Sequence, residues 1–96
     1  MKYPIINVII PAYNEEGSIG HVIKDVPRQV AQIIVVSNNS TDATETIARA
    51  AGAIVLSEPK RGYGYACLRG MKYVSEQEIK PDIIVFLDGD YSDYPE

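Results

Sequence analysis

A single cysteine, Cys67, leaves no partner for an internal disulfide and is compatible with a reducing compartment. A single histidine, His21, excludes a histidine cluster for zinc. No apolar run approaches the ~20 residues that a membrane-spanning helix needs, and Met1-Lys2-Tyr3-Pro4 lacks the pattern of a signal peptide. Basic residues are the minority, 9 Lys and Arg against 13 Asp and Glu, so a nucleic-acid backbone is a poor partner for this chain. Two glycine-rich phosphate cradles are also missing. Neither G-x-G-x-x-G nor G-x-x-x-x-G-K-[ST] follows the first apolar stretch, which argues against a dinucleotide-dependent dehydrogenase and a P-loop enzyme. The segment Ala12-Tyr13-Asn14-Glu15-Glu16 stands there instead. It is acidic and poor in glycine, so it does not suit a nucleotidyltransferase either. What remains is an ordinary composition, 46% hydrophobic and 23% charged, in 96 residues: one small globular domain at most.

Strand and helix patterns alternate along the chain. Ile5 to Ile10 is nearly all apolar and reads as a central strand ended by Pro11. Ile19, Val22, Ile23 and Val26 recur at helical spacing until Pro27. In the loop before them Asn14 is placed to cap this helix, and Glu15 and Glu16 suit its positive end. Gln32 to Val36 is a second strand. Thr44 to Ala51 is a second helix, with a capping-box spacing between Asp42 and Glu45 and with Gly52 as a natural end. Ala53 to Leu56 is a third strand. Tyr65 to about Gln77 is a third helix, whose Gly70 permits close approach to the sheet. Ile83 to Leu87 reads as a fourth, buried strand.

This β-α-β-α-β-α-β pattern with short connections predicts an α/β fold. Its sheet is mainly parallel, Rossmann-like, in the order 3-2-1-4, and flanked by helices. In that order the chain reverses direction between strands 1 and 4. The loops after strands 1, 2 and 4 then meet at one edge, where open α/β sheets bind ligands. They carry Tyr13 and Glu15, then Ser37 to Asp42, then Asp88-Gly89-Asp90. Two carboxylates separated by one residue offer hard oxygen donors for Mg²⁺ or Mn²⁺, ions usually shared with substrate phosphates.

The same residues resemble a known family. Val8-Ile9-Ile10-Pro11-Ala12-Tyr13-Asn14-Glu15-Glu16 resembles the opening of family 2 glycosyltransferases of the GT-A fold, and Val36-Ser37-Asn38-Asn39-Ser40-Thr41-Asp42 is similar to their V-D-D-G-S-T-D segment. Arg61 to Gly70 is similar to their G-x-G-x-A-x-x-x-G segment, and Leu87 to Glu96 to their D-x-D with a trailing P-E. The nearest branch is the polyprenyl- or dolichyl-phosphate sugar transferases. The resemblance implies transfer of a sugar of the glucose or mannose class from a nucleotide diphosphate sugar, with inversion, to an acceptor such as a polyprenyl phosphate. It implies that Pro11, Tyr13, Glu15, Ser37, Asp88, Gly89 and Asp90 bind the nucleotide sugar, and that Asp88 and Asp90 hold the metal. Ser37 stands where the family has an Asp that bonds the base, so UDP and GDP both stay open. Ser92 stands where the mannose branch has a Gln.

In that family the acceptor site and any general base lie beyond the D-x-D, so the catalytic base is not expected in this chain. Residues 1–96 are expected to be the N-terminal, nucleotide-sugar-binding part of a longer glycosyltransferase domain. A cytoplasmic setting is expected, with any membrane association of the full-length protein through later segments. A non-catalytic nucleotide-binding module is the alternative. If the chain is such an N-terminal part, its fourth strand is left as an exposed apolar edge, which predicts self-association of the isolated fragment.

Overall fold

A computed structural model describes residues 3–89. Asp90 and the residues after it, Ser92 included, lie outside the described residues. The element order is β1 (Ile6–Ala12), α1 (Ile19–Lys24), β2 (Gln32–Ser37), α2 (Thr44–Ala50), β3 (Ile54–Ser57), α3 (Tyr63–Ser75) and β4 (Ile83–Phe86). The strands form one parallel sheet in the order β3-β2-β1-β4, as the alternation predicts.

Right-handed crossovers explain the layers. The steps β1 to β2 and β2 to β3 run the same way, so α1 and α2 cover one face. Their Ile19, Val22, Ile23 and Ala48 pack with Val8, Ile10 and Val35. The step from β3 back to β4 runs the other way, so α3 covers the opposite face. Its Ala66 and Val74 pack with Ile9, Ile34 and Val36. The reversal falls between β1 and β4 and opens the crevice at the carboxyl edge.

Three expectations need correction. Pro11 does not end β1, which pairs with β2 through Pro11–Val36 and Ala12–Ser37. The backbone of Ile5 and Ile9 faces β4, since their carbonyls accept from Asp82, Ile83 and Leu87, whereas Ile6 and Ala12 face β2. The missing N–H of Pro11 therefore points past the last residue of β4, and no ladder bond is lost. Next, β4 is not buried. Of its residues only Ile84 packs against the α3 cluster; α1 and α2 lie over β1, β2 and β3 on the other face, and Ile83, Val85 and Phe86 are all exposed. Finally, α1 begins at Ile19 rather than beside Asn14, and α2 has Ala43, not Asp42, at its cap position. Asn14 and Asp42 do other work, described below.

Candidate nucleotide-sugar site

The four loops at the carboxyl edge are tied to one another by side chain to backbone hydrogen bonds. Asn14 takes a left-handed backbone (φ 49°), which asparagine tolerates well. Its N–H donates to Ser40 Oγ at 3.0 Å, and its Oδ1 accepts from the Thr41 N–H at 2.8 Å. The Glu15 N–H donates to Thr44 Oγ1 at 2.8 Å. The Glu16 N–H donates to Asp42 Oδ2 at 3.2 Å, while Glu16 Oε1 accepts from the Ala43 N–H at 3.0 Å. Thr44 closes this set, since its N–H and hydroxyl both donate to Asp42 Oδ1. Burial pushes the Asp42 carboxyl up, but the hydrogen bonds from Thr44 and Glu16 outweigh it and leave it below its ordinary value. The expected capping box is thus replaced by a latch between the β1–α1 and β2–α2 loops, and Glu45 instead accepts from Ser57 Oγ at 3.3 Å.

Asn38 carries the tie to the third loop. Its Nδ2 donates to the carbonyls of Glu58 (3.0 Å) and Lys60 (2.6 Å), and its Oδ1 accepts from the Gly62 N–H (2.9 Å). Two donors and one acceptor on one side chain are an amide's pattern; a carboxylate could make only the last of the three. The segment so held leads directly into α3 and Tyr63. Lys60 in the same segment lies over the Tyr65 ring, 5.4 Å from its centre.

Between these loops lies a pocket of about 210 Å³, lined by the end of β1 (Pro11 and Ala12), the β1–α1 loop, Asn38, α3 and the segment after β4. Of the residues expected to bind a nucleotide sugar, Pro11, Tyr13, Glu15, Asp88 and Gly89 line it. Tyr13 lines the pocket while staying half exposed. Ser37 does not reach the pocket. It is fully buried, and strand alternation puts it with Val35 on the α1–α2 face, with no hydrogen-bond partner for Oγ among the described residues. The lining position falls one residue on, at Asn38, which the sequence reading passed over for the position of the family's first Asp. Tyr63 is a second lining residue that was missed. Burial, the neighbouring Cys67 and the charge of Asp88 all push its hydroxyl up. A larger groove of about 530 Å³ runs between α1 and α2 and shares no lining residue with this pocket.

Gly89 is buried, and the fit is close. A Cβ added there would lie 3.3 Å from Ala12 Cβ and 3.4 Å from both Ile19 Cδ1 and the Pro11 carbonyl oxygen. Asp88, next to it, keeps its carboxylate exposed at the pocket. Glu15 and Asp88 supply hard oxygen donors to one cavity. Among the described residues no three ligating side chains gather; Mg²⁺ and Mn²⁺ commonly take their remaining oxygens from a phosphate ligand and water.

An open parallel sheet in the order β3-β2-β1-β4, with an acidic pocket at its switch point, defines the class: an α/β protein with the layout of nucleotide-binding folds. The comparisons with known proteins agree. The model of the family described as "Glycosyl transferase family 2" matches residues 7–96, and the chain belongs to that family. It is 41% identical over 87 residues to protein RfbJ of Shigella flexneri, covering 88% of this chain and 64% of that protein. It is 38% identical over 92 residues to a low-salt glycan biosynthesis hexosyltransferase of Haloferax volcanii, covering 91% and 21%. Among solved structures it matches glucosyl-3-phosphoglycerate synthase of Mycobacterium tuberculosis in complex with Mn²⁺, UDP-glucose and glycerol 3-phosphate. The TM-score is 0.78 at 34% identity, with 91% of this chain and 34% of that one covered. The chain therefore spans less than two thirds of the length of these relatives, and about a third of the solved synthase.

Proposed function

We propose that this chain forms the donor-binding part of an inverting, metal-dependent glycosyltransferase that takes a hexose from a nucleotide diphosphate sugar. The observation that carries the reading is the convergence of Pro11, Tyr13, Glu15, Asp88 and Gly89 on one pocket at the sheet's switch point. Tyr13 offers the nucleoside a ring face, Glu15 an acceptor for its hydroxyls, and Tyr63 closes the far wall. Asp88, with Asp90 following in sequence, would hold Mg²⁺ or Mn²⁺ against the diphosphate. Such an ion, when bound, supplies Lewis-acid stabilisation of the charge that grows on the leaving diphosphate.

UDP-glucose is the first donor to try, because the synthase that shares this fold was solved with it and with Mn²⁺. That synthase was solved with a small phosphorylated molecule, glycerol 3-phosphate, beside the donor; a polyprenyl phosphate is the acceptor class that the resemblance to the polyprenyl-phosphate branch favours for this chain. An acceptor already ionised, such as a phosphate, needs no general base, and neither Glu15 nor Asp88 is assigned one. Calorimetric titration of UDP-glucose and GDP-mannose, with and without Mn²⁺, tests the site. UDP-glucose binding should need the ion and fall at least about tenfold in Asp88→Ala, the loss of about one charge-assisted contact. Donor binding that is indifferent to Mn²⁺ and to Asp88→Ala would overturn the reading.

A further inference from the structure

We propose that Ser18 is a positioning residue for the metal loop, tying the D-G-D segment to the loop that faces the nucleoside. The proposal rests on the donor-site reading above and adds to it a residue outside every motif. Ser18 Oγ donates to the Gly89 carbonyl at 2.6 Å, across 71 residues of sequence. Ser18 itself is rigidly held. Its N–H donates to the Glu15 carbonyl at 3.0 Å, and its own carbonyl accepts from the Val22 N–H at 3.0 Å, so it sits at the cap position just before α1. Its oxygen also lies 3.4 Å from Glu15 Oε1. One hydroxyl proton serves one strong bond, and the shorter contact takes it.

Ser18 therefore touches both sides of the pocket: the carboxylate of Glu15 and the peptide between the two aspartates of the motif. The Gly89 carbonyl belongs to the planar peptide that links Gly89 to Asp90. Holding that oxygen removes the rotation about the backbone that glycine otherwise allows. Packing adds a second restraint, because the Gly89 Cα rests against Ala12, Ile19 and the Pro11 carbonyl, where no side chain fits easily. β1 and α1 thus fix Gly89, the middle residue of the motif, without any ion.

The test compares wild type, Ser18→Ala, Ser18→Thr and Asp88→Ala, with two readouts besides activity. Free Mn²⁺ is followed by electron paramagnetic resonance in the presence of UDP, and amide hydrogen exchange is followed in the peptide spanning residues 85–90. UDP binding without metal and the melting midpoint serve as controls. Ser18→Ala should weaken Mn²⁺ binding by about fivefold, one hydrogen bond's worth, and speed exchange in that peptide, while metal-free UDP binding holds. Ser18→Thr, which keeps the hydroxyl, should restore both. Wild-type Mn²⁺ affinity in Ser18→Ala would overturn the proposal. So would an equal loss of metal-free UDP binding, which marks a general structural role. A wild-type chain that takes up no more Mn²⁺ with UDP than Asp88→Ala does would overturn the donor-site reading itself, and the proposal with it.

Discussion

At the scale of single residues, the polar side chains of the motifs divide into those that face the pocket and those that hold it open. Thr44 belongs to the second group. It is fully buried, accepts from the Glu15 N–H and donates to Asp42. Thr44→Val keeps the shape but strands that N–H and one carboxylate contact, so it should cost about 1–3 kcal/mol in chemical unfolding. Asp42 makes the same latch sensitive to acid. Its folded-state pKa is lowered from 3.8, so its contribution to stability is complete above the unfolded value and is lost as pH falls through the folded one. Thermal unfolding of wild type against Asp42→Asn should show a difference in midpoint that is constant from neutral pH down to about pH 4 and closes below it. A gap that persists unchanged at pH 2 would place the effect elsewhere. None of this latch was legible in the sequence. Its partners lie 26 to 29 residues apart, on loops whose spacing follows no period. Local rules gave Asn14 and Asp42 the nearest helix ends, because a cap is the commonest use of such residues near a helix start. Ser37 and Asn38 were confused for a related reason. Motif alignment marks a position, but strand alternation decides which of two neighbours reaches the pocket.

At the scale of elements, periodicity carried most of the fold. All seven elements stand where alternating apolar strands and amphipathic helices put them, with ends shifted by a few residues. The sharpest element-level reading was Gly70, expected to bring α3 close to the sheet. A Cβ there would lie 2.7 Å from Ile9 Cγ2 and 3.1 Å from Ile9 Cδ1. Ile9 is completely buried at the centre of β1 and has nowhere to retreat. Gly70→Ala gains helix propensity of about 1 kcal/mol but overpacks the core by about 1–3 kcal/mol. The net outcome should be destabilisation, read as a lower denaturant midpoint at unchanged slope. A midpoint equal to or above wild type would mean that α3 can lift off β1 at little cost. The burial of β4 was the element-level miss. Five apolar residues in a row read as a strand covered on both faces, but the covering depends on which helices cross that strand, and here α1 and α2 lie over β1, β2 and β3 instead.

At the scale of the whole molecule, that open strand is the surface feature with the clearest consequence. Ile83 and Leu87 turn their backbone N–H groups toward β1. In a parallel ladder the alternate residues, Ile84 and Phe86, then direct their N–H and C=O groups outward. The side chains on this edge are apolar, with Ile83 43%, Val85 37% and Phe86 39% exposed. Unpaired backbone beside exposed apolar side chains is the combination that invites pairing between chains. Charge opposes it, since each copy carries a formal −4. At low ionic strength repulsion holds copies apart; as salt screens it, contact at β4 is favoured. The chain studied alone should therefore associate, with a weight-average mass in light scattering that rises with concentration and rises further between about 0.01 and 0.5 M salt. Val85→Lys places a charge on the edge and should return the mass to that of a monomer. A monomeric mass for wild type across that range would show that the twist of a four-residue strand protects the edge unaided. Association that Val85→Lys leaves intact would move the contact to another surface, with the exposed side of α3, at Leu68 and Met71, the next to test.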